Sequence, residues 1–209
     1  MINIEKIFII HLEDLVDRKK YLDQNIHFYN IPYEYIISNK EKDTEMYKSN
    51  RYYKHDVNIY NRHLQKGEIC VSVQHINTYL KILQNNIRYA LILEDDAIFK
   101  DNFIDNLNII LSKLPSYFDM CFISECCNLH AANIENDMLN IYKLPKSRCV
   151  SAYIINSKSI PYILSTLPFQ YPIDWHLNMI NQNNELNFYW SEPCIIDQGS
   201  ESVYKSNLR

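Results

Sequence analysis

The chain contains only two glycines, Gly67 and Gly199, among its 209 residues. Glycine-rich loops that cradle phosphates need several glycines at fixed spacing, because the backbone must approach the ligand closely. Neither GxGxxG nor GxxxxGK[ST] occurs, so the sequence lacks the usual motifs of Rossmann dinucleotide binding and of P-loop chemistry.

An excess of positive charge is also missing. The formal net charge is −4, and the pI is near 6.0. This balance indicates a soluble protein without affinity for nucleic acid or for an anionic membrane surface. No uncharged run approaches the roughly 20 residues of a transmembrane helix. The N-terminus, MINIEKIFII, lacks the pattern of a signal peptide, which predicts a cytoplasmic protein.

The six cysteines form no CxxC pair, and their spacing therefore argues against a zinc ribbon. Cys126, Cys127 and His130 lie close enough in sequence to contact a metal together. We favour the simpler interpretation that the cysteines are thiols in a reducing compartment, and we predict that the protein has no structural disulfides.

Apolar residues make up 47% of the chain, enough for the core of one domain spanning residues 1–209. Short apolar runs alternate with helical stripes, which predicts an α/β sheet. The segment 38–66 is polar and tyrosine-rich, and we predict a long loop with short helical pieces there. Predicted strands cover residues 7–10, 33–37, 89–93, 119–124, 148–155, 188–190 and 194–196, and predicted helices cover 17–28, 69–86, 103–114, 157–167 and 173–180.

Three consecutive carboxylates, Glu94, Asp95 and Asp96, follow the apolar strand at 89–93. If the chain stays extended there, Glu94 and Asp96 point one way and Asp95 points the other. Two hard oxygen ligands at the carboxyl end of a strand can hold a divalent cation, which can bridge the phosphates of a nucleoside diphosphate. The alternative is a charged turn in which an aspartate caps the next element.

Four segments in order resemble glycosyltransferase family 25, the family of lipooligosaccharide and procollagen galactosyltransferases. The first two are IFIIHLEDLVDRKKYL at 7–22 and KGEICVSVQHINTYLKIL at 66–83. The third, ALILEDDAIF at 90–99, is the closest match. The fourth runs from SAYIINSKSIPYIL through PIDWHLN to EPCIIDQGSES, and together the four cover nearly the whole chain.

The resemblance implies a single GT-A-like, Rossmann-related, nucleotide-sugar-binding domain with a mixed sheet. It also implies an inverting transfer of a hexose, galactose or glucose, from a UDP-sugar to a hydroxyl of a glycan or glycoprotein acceptor. Mn²⁺ or Mg²⁺ is the implied metal.

Two positions depart from the family pattern. His11 stands where the family has asparagine, and Gln74 lies between Ser72 and His75, whereas the family's Ser-His pair is adjacent. These departures leave open a catalytically inactive module of the same fold that binds a sugar nucleotide or a glycan. Metal-dependent phosphoryl hydrolysis by the same carboxylates is a further alternative.

The metal ligands implied by the resemblance are Asp96 and Glu94, with Asp95 sharing metal and donor-ribose contacts. His176 is an alternative ligand of the metal. Asp174, in PIDWHLN, is the proposed general base that removes the proton of the acceptor hydroxyl. Its alternative role is to cap a helix N-terminus.

Further residues are assigned to donor binding. Arg18 suits a diphosphate, because a guanidinium matches phosphate oxygens, although it could be an ordinary exposed helix arginine. Glu68 could instead favour the positive end of a helix, and His75 could be structural. Gln198 and Ser202 match the family's closing motif but could form loop hydrogen bonds. The donor-site candidates are His11, Arg18, Glu68, His75, Glu94, Asp95 and Gln198.

Overall fold

A computed structural model describes residues 2–38, 64–132, 138–201 and 203–204. Most of the predicted loop at 38–66 lies outside the described residues, as does Ser202.

Seven strands form one mixed sheet in the order β2-β1-β3-β7-β5-β8-β6, and β4 pairs with β9 in a separate two-stranded ribbon. The β1–β2, β1–β3 and β5–β8 pairs are parallel, and the other pairs are antiparallel. The strands are β1 Lys6–Leu12, β2 Tyr33–Ser38, β3 Tyr89–Glu94, β4 Ala97–Phe99, β5 Met120–Phe122, β6 Asn140–Lys143, β7 Ala152–Asn156, β8 Phe188–Glu192 and β9 Ile196–Gln198.

Helices cover both faces of the sheet. The helices are α1 Val16–Ile26, α2 Lys66–Gln84, α3 Phe103–Lys113, α4 Ile160–Ser165 and α5 Ile173–Ile180. One buried cluster joins alternate residues of β1 and β3 to α1 and α3, and a second cluster joins the other residues of these strands to α2, α4 and α5. The central strands read as continuous apolar runs because both of their faces are buried.

The predicted elements are confirmed except at their ends and at 194–196, where the predicted strand shares only Ile196 with β9, and two strands were missed. The helix predicted at 157–167 is a 3₁₀ turn followed by the short α4, and the strand predicted at 148–155 begins at Ala152. The missed strand β4 has only three residues. The missed strand β6 lies at the sheet edge and is only half-buried, so its sequence carries no apolar run.

The prediction that the protein has no disulfide is wrong. Cys126 and Cys149 form a disulfide with their Cα atoms 6.1 Å apart. The two cysteines are 23 residues apart, but β5 and β7 are antiparallel neighbours, so the segment after β5 meets the segment before β7. Among the described residues, no helix is both long enough and apolar enough to cross a membrane.

Candidate active site

The three consecutive carboxylates lie at one edge of the central sheet. Strands β1 and β3 are parallel, and Ile10 of β1 pairs with Glu94, so both strands end at this edge. Strand β7 is antiparallel to β3 and begins there, with Ala152 opposite Leu93. Two strands therefore end at this edge, and a third strand begins there.

Adjacent carboxylates of this cluster face opposite sides of the sheet. Ile92 packs in the cluster that contains α2, and Leu93 packs in the cluster that contains α1. The side chain of Glu94 therefore lies on the α2 side of the sheet and that of Asp95 on the α1 side, as strand alternation predicts. The chain turns at Asp95 and Asp96, so the extended conformation does not continue to Asp96.

Asp95 is a buried carboxylate that accepts three hydrogen bonds or ion-pair contacts. Its Oδ1 lies 2.8 Å from the Arg18 guanidinium, and its Oδ2 lies 2.8 Å from His11 Nδ1 and 3.1 Å from the backbone nitrogen of Leu12. Arg18 is itself buried and lies over the ring of Tyr204. The interpretation of Arg18 as an exposed helix arginine is therefore wrong. The network ties the end of β1 to the first turns of α1.

Glu94 ends a buried chain of polar side chains on the other face. Its Oε1 lies 3.2 Å from His75 Nε2, and His75 Nδ1 lies 2.7 Å from the hydroxyl of Tyr153. That hydroxyl lies 2.8 Å from the hydroxyl of Tyr79. Burial lowers the pKa of His75 to about 3, so its ring is neutral near pH 7. A neutral ring that accepts from Tyr153 donates from Nε2, which fixes the orientation of Glu94.

Asp96 is covered by the closing segment of the chain. Its backbone oxygen accepts a 2.7 Å hydrogen bond from Gly199, and its Oδ2 lies 3.3 Å from the backbone nitrogen of Ser200. A Cβ atom at position 199 would lie 2.7 Å from the Asp96 oxygen, so this close approach requires glycine. Asp96 Oδ1 is buried and has no hydrogen-bond partner among the described residues.

Asp174 reaches the same edge from α5. The Ser72 hydroxyl accepts a 3.1 Å hydrogen bond from the backbone nitrogen of Ile173, which joins the start of α5 to α2. Pro172 is the N-cap of α5, so Asp174 is the second residue of the helix. Backbone N–H groups of this first turn contact its carboxylate. The alternative of an N-cap is therefore wrong as stated, although Asp174 does interact with the helix N-terminus.

Three carboxyl groups at this edge have raised pKa values. Burial raises the pKa of Glu94 well above its usual value, and the charges of Asp96, Asp95 and Asp174 raise it further. Burial also raises the pKa of Asp96, against an opposing hydrogen bond from Ser200. For Asp174, burial outweighs the backbone hydrogen bonds that lower its pKa, and the charge of Glu68 adds to the increase. Such a cluster stabilises a proton or a cation.

The remaining candidates differ in how closely they approach this cluster. Glu68 lies close enough to affect Asp174, and its carboxylate also accepts from the backbone nitrogen of Gln65 in the capping box of α2. Gln198 pairs with Ala97 in the ribbon beside Asp96. His176 is buried, and its Nε2 lies 2.9 Å from the hydroxyl of Thr166. Burial lowers the pKa of His176 to about 4.

Glu94 and Asp96 are the two carboxylates at this edge that could hold a divalent cation. Glu94 and Asp96 repel each other, and Asp96 Oδ1 lacks a partner among the described residues. Asp95 is already engaged by Arg18 and His11. Within the described parts of the chain, neither the carboxylates nor His176 belong to a group of three or more ligand atoms all within 4.8 Å of one another. Mg²⁺ commonly uses one or two carboxylates together with substrate phosphates, so two ligands suffice.

Sequence reasoning missed Tyr153, Tyr79 and the backbone of Gly199 and Ser200. Tyr153 belongs to the SAYIIN segment, and its place in an apolar strand pointed to packing alone. A signal was present at Gly199, because one of only two glycines follows Gln198 in the segment that resembles the family's closing motif.

These features define an α/β protein with a buried acidic site at the end of its parallel central strands. Residues 4–176 match the sequence profile of glycosyltransferase family 25 (LPS biosynthesis protein). The chain therefore belongs to glycosyltransferase family 25, which supports a transferase activity. Comparison with curated protein sequences gives no match.

Solved structures with similar folds have very different sequences. The A197 protein from STIV is 8% identical with a TM-score of 0.50, and the match covers 93% of this chain and 83% of that one. GlyE, a glycosyltransferase of Streptococcus pneumoniae TIGR4, is 9% identical with a TM-score of 0.47, covering 91% and 46%. A glycosyltransferase involved in glycosylation of the PBCV-1 major capsid is 8% identical with a TM-score of 0.40, covering 78% and 66%. The seven-stranded mixed sheet confirms the predicted α/β class, and family membership supports its assignment as GT-A-like.

Proposed function

We propose that this chain is an inverting glycosyltransferase that transfers a hexose, galactose or glucose, from a UDP-sugar to a hydroxyl of a glycan or glycoprotein. The observation that supports it best is the meeting of Glu94, Asp96 and Asp174 at one sheet edge, although Asp174 is remote in sequence. Family membership supports glycosyl transfer, and the acidic edge offers groups for a cation and for a base.

Glu94 and Asp96 would hold Mn²⁺ or Mg²⁺. When bound, such a cation neutralises the diphosphate of the leaving group. His75 holds the Glu94 carboxylate in place through its contact with Nε2, and Ser200 does the same for Asp96. The Arg18 guanidinium lies at the same edge, and its five N–H donors allow it to contact a phosphate as well as Asp95.

Asp174 is the proposed general base. As the acceptor oxygen bonds to the anomeric carbon, the bond from that carbon to the diphosphate breaks, and the hydroxyl proton passes to the Asp174 carboxylate. A base is most effective when its pKa approaches the working pH, and burial moves the pKa of Asp174 in that direction. Trp175 is next to it and 49% exposed, which suits a ring that packs on a sugar.

The first experiment measures binding and turnover of a panel of UDP-sugars, with Mn²⁺, with Mg²⁺ and with a chelator. We expect metal-dependent binding, followed by UDP release when acceptors are added. Asp96→Asn should weaken metal-dependent donor binding about ten- to a hundredfold, the usual range for one charged contact. Asp101→Asn is the matched control, since Asp101 is an exposed carboxylate outside the site.

Other outcomes distinguish the alternative functions. Binding without transfer to any acceptor would favour the inactive binding module. Release of inorganic phosphate from nucleotides would favour phosphoryl hydrolysis. Donor binding that is independent of metal, or unchanged by Asp96→Asn, would contradict the assignment of the cation to Asp96.

A further inference from the structure

Three cysteines from two separate segments converge beside the sheet. Cys126 and Cys127 follow β5, and Cys149 precedes β7. Their ligand atoms all lie within 4.8 Å of one another, and they are the one such group of three or more Cys, His, Asp or Glu residues that the described parts of the chain contain. The sulfurs of Cys126 and Cys127 are 3.5 Å apart. We call these three residues the thiol group.

The backbone bends to bring the adjacent sulfurs together. Cys127, Asn128 and Cys149 have φ angles of 49°, 52° and 49°, in the left-handed region. Residues with a Cβ atom rarely adopt this region, asparagine more often than most. In an extended chain adjacent side chains point to opposite sides, whereas the left-handed residues here allow Cys126 and Cys127 to face the same point.

A buried arginine precedes the last cysteine of the thiol group in sequence. Arg148 is fully buried, is adjacent to Cys149 in sequence, and donates to the backbone oxygen of Leu129 and to Glu192. Glu192 also accepts a 2.9 Å hydrogen bond from the backbone nitrogen of Ala131. These contacts hold in place the segment that carries Cys126 and Cys127.

We propose that the reduced protein binds one thiophilic divalent cation, of the Zn²⁺ class, through the thiolates of Cys126, Cys127 and Cys149. Sulfurs around a tetrahedral Zn²⁺ lie about 3.8 Å apart for Zn–S bonds of about 2.3 Å. The sulfurs of Cys126 and Cys127 are 3.5 Å apart, and reduction of the disulfide releases the sulfur of Cys149 to separate to this distance. The fourth position is left to water, because His130 does not belong to the group whose ligand atoms lie within 4.8 Å of one another.

The disulfide and the metal are alternative states of one site. The Cys126–Cys149 disulfide must first gain two electrons and two protons from an added thiol or phosphine reductant. Binding then displaces up to three thiol protons for one cation, with no change of oxidation state. A thiophilic cation at three sulfurs is chemically distinct from the hard cation proposed for Glu94 and Asp96.

The site would connect two segments that support Glu94. The backbone oxygen of Ser151, two residues after Cys149, accepts a 2.8 Å hydrogen bond from the Glu94 nitrogen. The Ser151 hydroxyl donates to the hydroxyl of Ser124, two residues before Cys126, at 2.7 Å. A cation on the thiol group would therefore link these segments a second time.

The test titrates Cd²⁺ or Co²⁺ into the full chain after reduction and chelation, and follows the thiolate-to-metal charge-transfer absorption. We expect one equivalent of metal per chain and displacement by Zn²⁺. Cys149→Ser should weaken Cd²⁺ binding by more than the roughly 10–100-fold typical of losing a supporting partner, because it removes a direct ligand. Cys70→Ala, outside the thiol group, and Asp96→Asn should leave it unchanged.

Cys127→Ser provides a second variant, since Cys127 is exposed and its substitution leaves the core intact. We expect it to weaken Cd²⁺ binding as Cys149→Ser does. Absence of the charge-transfer band in wild-type protein whose six thiols are shown to be reduced would overturn the proposal. So would metal binding that Cys127→Ser and Cys149→Ser both leave unchanged.

Discussion

Asp95 and its neighbours Glu94 and Asp96 are adjacent in sequence, yet they have opposite surroundings. Asp95 contacts Arg18, His11 and a backbone N–H, so its charge is compensated within the protein. Glu94 and Asp96 face other carboxylates, and their pKa values are raised. Glu94 and Asp95 face opposite sides of the sheet, and Asp96 lies in the turn that follows β3. Asp95 therefore stabilises the fold at this edge, whereas Glu94 and Asp96 are the carboxylates to which we assign the proposed cation.

The largest expected effect is the loss of transfer rate on substitution of Asp174, which lies beside the carboxylates with raised pKa values. Asp174→Asn should lower the transfer rate about 10²- to 10⁴-fold, because the amide cannot take the acceptor proton. Binding of UDP-sugar and metal should persist, since the base contacts the acceptor. The measurement is single-turnover transfer together with donor binding.

Asp105→Asn is the matched control for this variant. Asp105 is also an aspartate in the first turn of a helix, but it is exposed on α3. A near-normal rate for Asp174→Asn would reduce Asp174 to a residue that stabilises α5. Simultaneous loss of donor binding would instead place it among the donor or metal contacts.

Substitution of Asp95, whose charge is compensated by Arg18 and His11, should lower the stability of the fold. Asp95→Ala removes the buried carboxylate that contacts Arg18 and His11, which we expect to lower the free energy of unfolding by about 3–5 kcal/mol. Glu34→Ala is the control, because Glu34 pairs with Lys6, at 2.6 Å, and with Lys81 but remains partly exposed. Each of these pairs should contribute at most about 1 kcal/mol. Equal losses in urea unfolding would show that Asp95 and Arg18 are not a structural pair.

Stability should depend on pH through Glu94. Its pKa is raised in the folded state, so without metal the protein loses stability as pH rises from about 4.3, the unfolded value, through the folded pKa. One proton contributes a slope of up to about 1.4 kcal/mol per pH unit. Glu94→Gln should remove this contribution, as measured by urea unfolding in chelator at several pH values.

The low pKa of His75 acts in the opposite direction, because a neutral folded histidine loses stability as pH falls below about 6.5. Above about pH 6.5 the histidine is neutral in the folded and unfolded states of both proteins, so the difference between them in that range reports on Glu94. Identical pH profiles for wild type and Glu94→Gln would contradict the raised pKa.

The sequence allowed most of the fold to be predicted, because the central strands and helices carry strong apolar periodicity. The run at 89–93 and the stripe of α2 were recognised for this reason. Strands β4 and β6 were not, since three residues and a half-buried edge give too little pattern. The Cys126–Cys149 disulfide depends on which strands become neighbours, which local pattern does not encode.

The candidate site was predictable in its residue types but not in its pairings. Strand alternation correctly predicted that Glu94 and Asp95 face opposite sides of the sheet. No local pattern indicated that Arg18 would contact Asp95, because the two residues are 77 apart in sequence. Tyr153 was read as part of an apolar strand, although its hydroxyl contacts His75 across the interface with α2.

The smallest expected effect concerns the hydroxyls that hold His75. Tyr153→Phe leaves His75 Nδ1 without its 2.7 Å partner, which should cost about 1–3 kcal/mol of stability. It should also weaken metal-dependent donor binding, because His75 then orients Glu94 less firmly. Tyr79→Phe removes only the next hydroxyl, 2.8 Å from Tyr153, and should cost about 1 kcal/mol while leaving donor binding unchanged. Urea unfolding and donor titration measure both variants. Unchanged donor binding in Tyr153→Phe would mean that this chain of hydroxyls only fills the core and does not position Glu94.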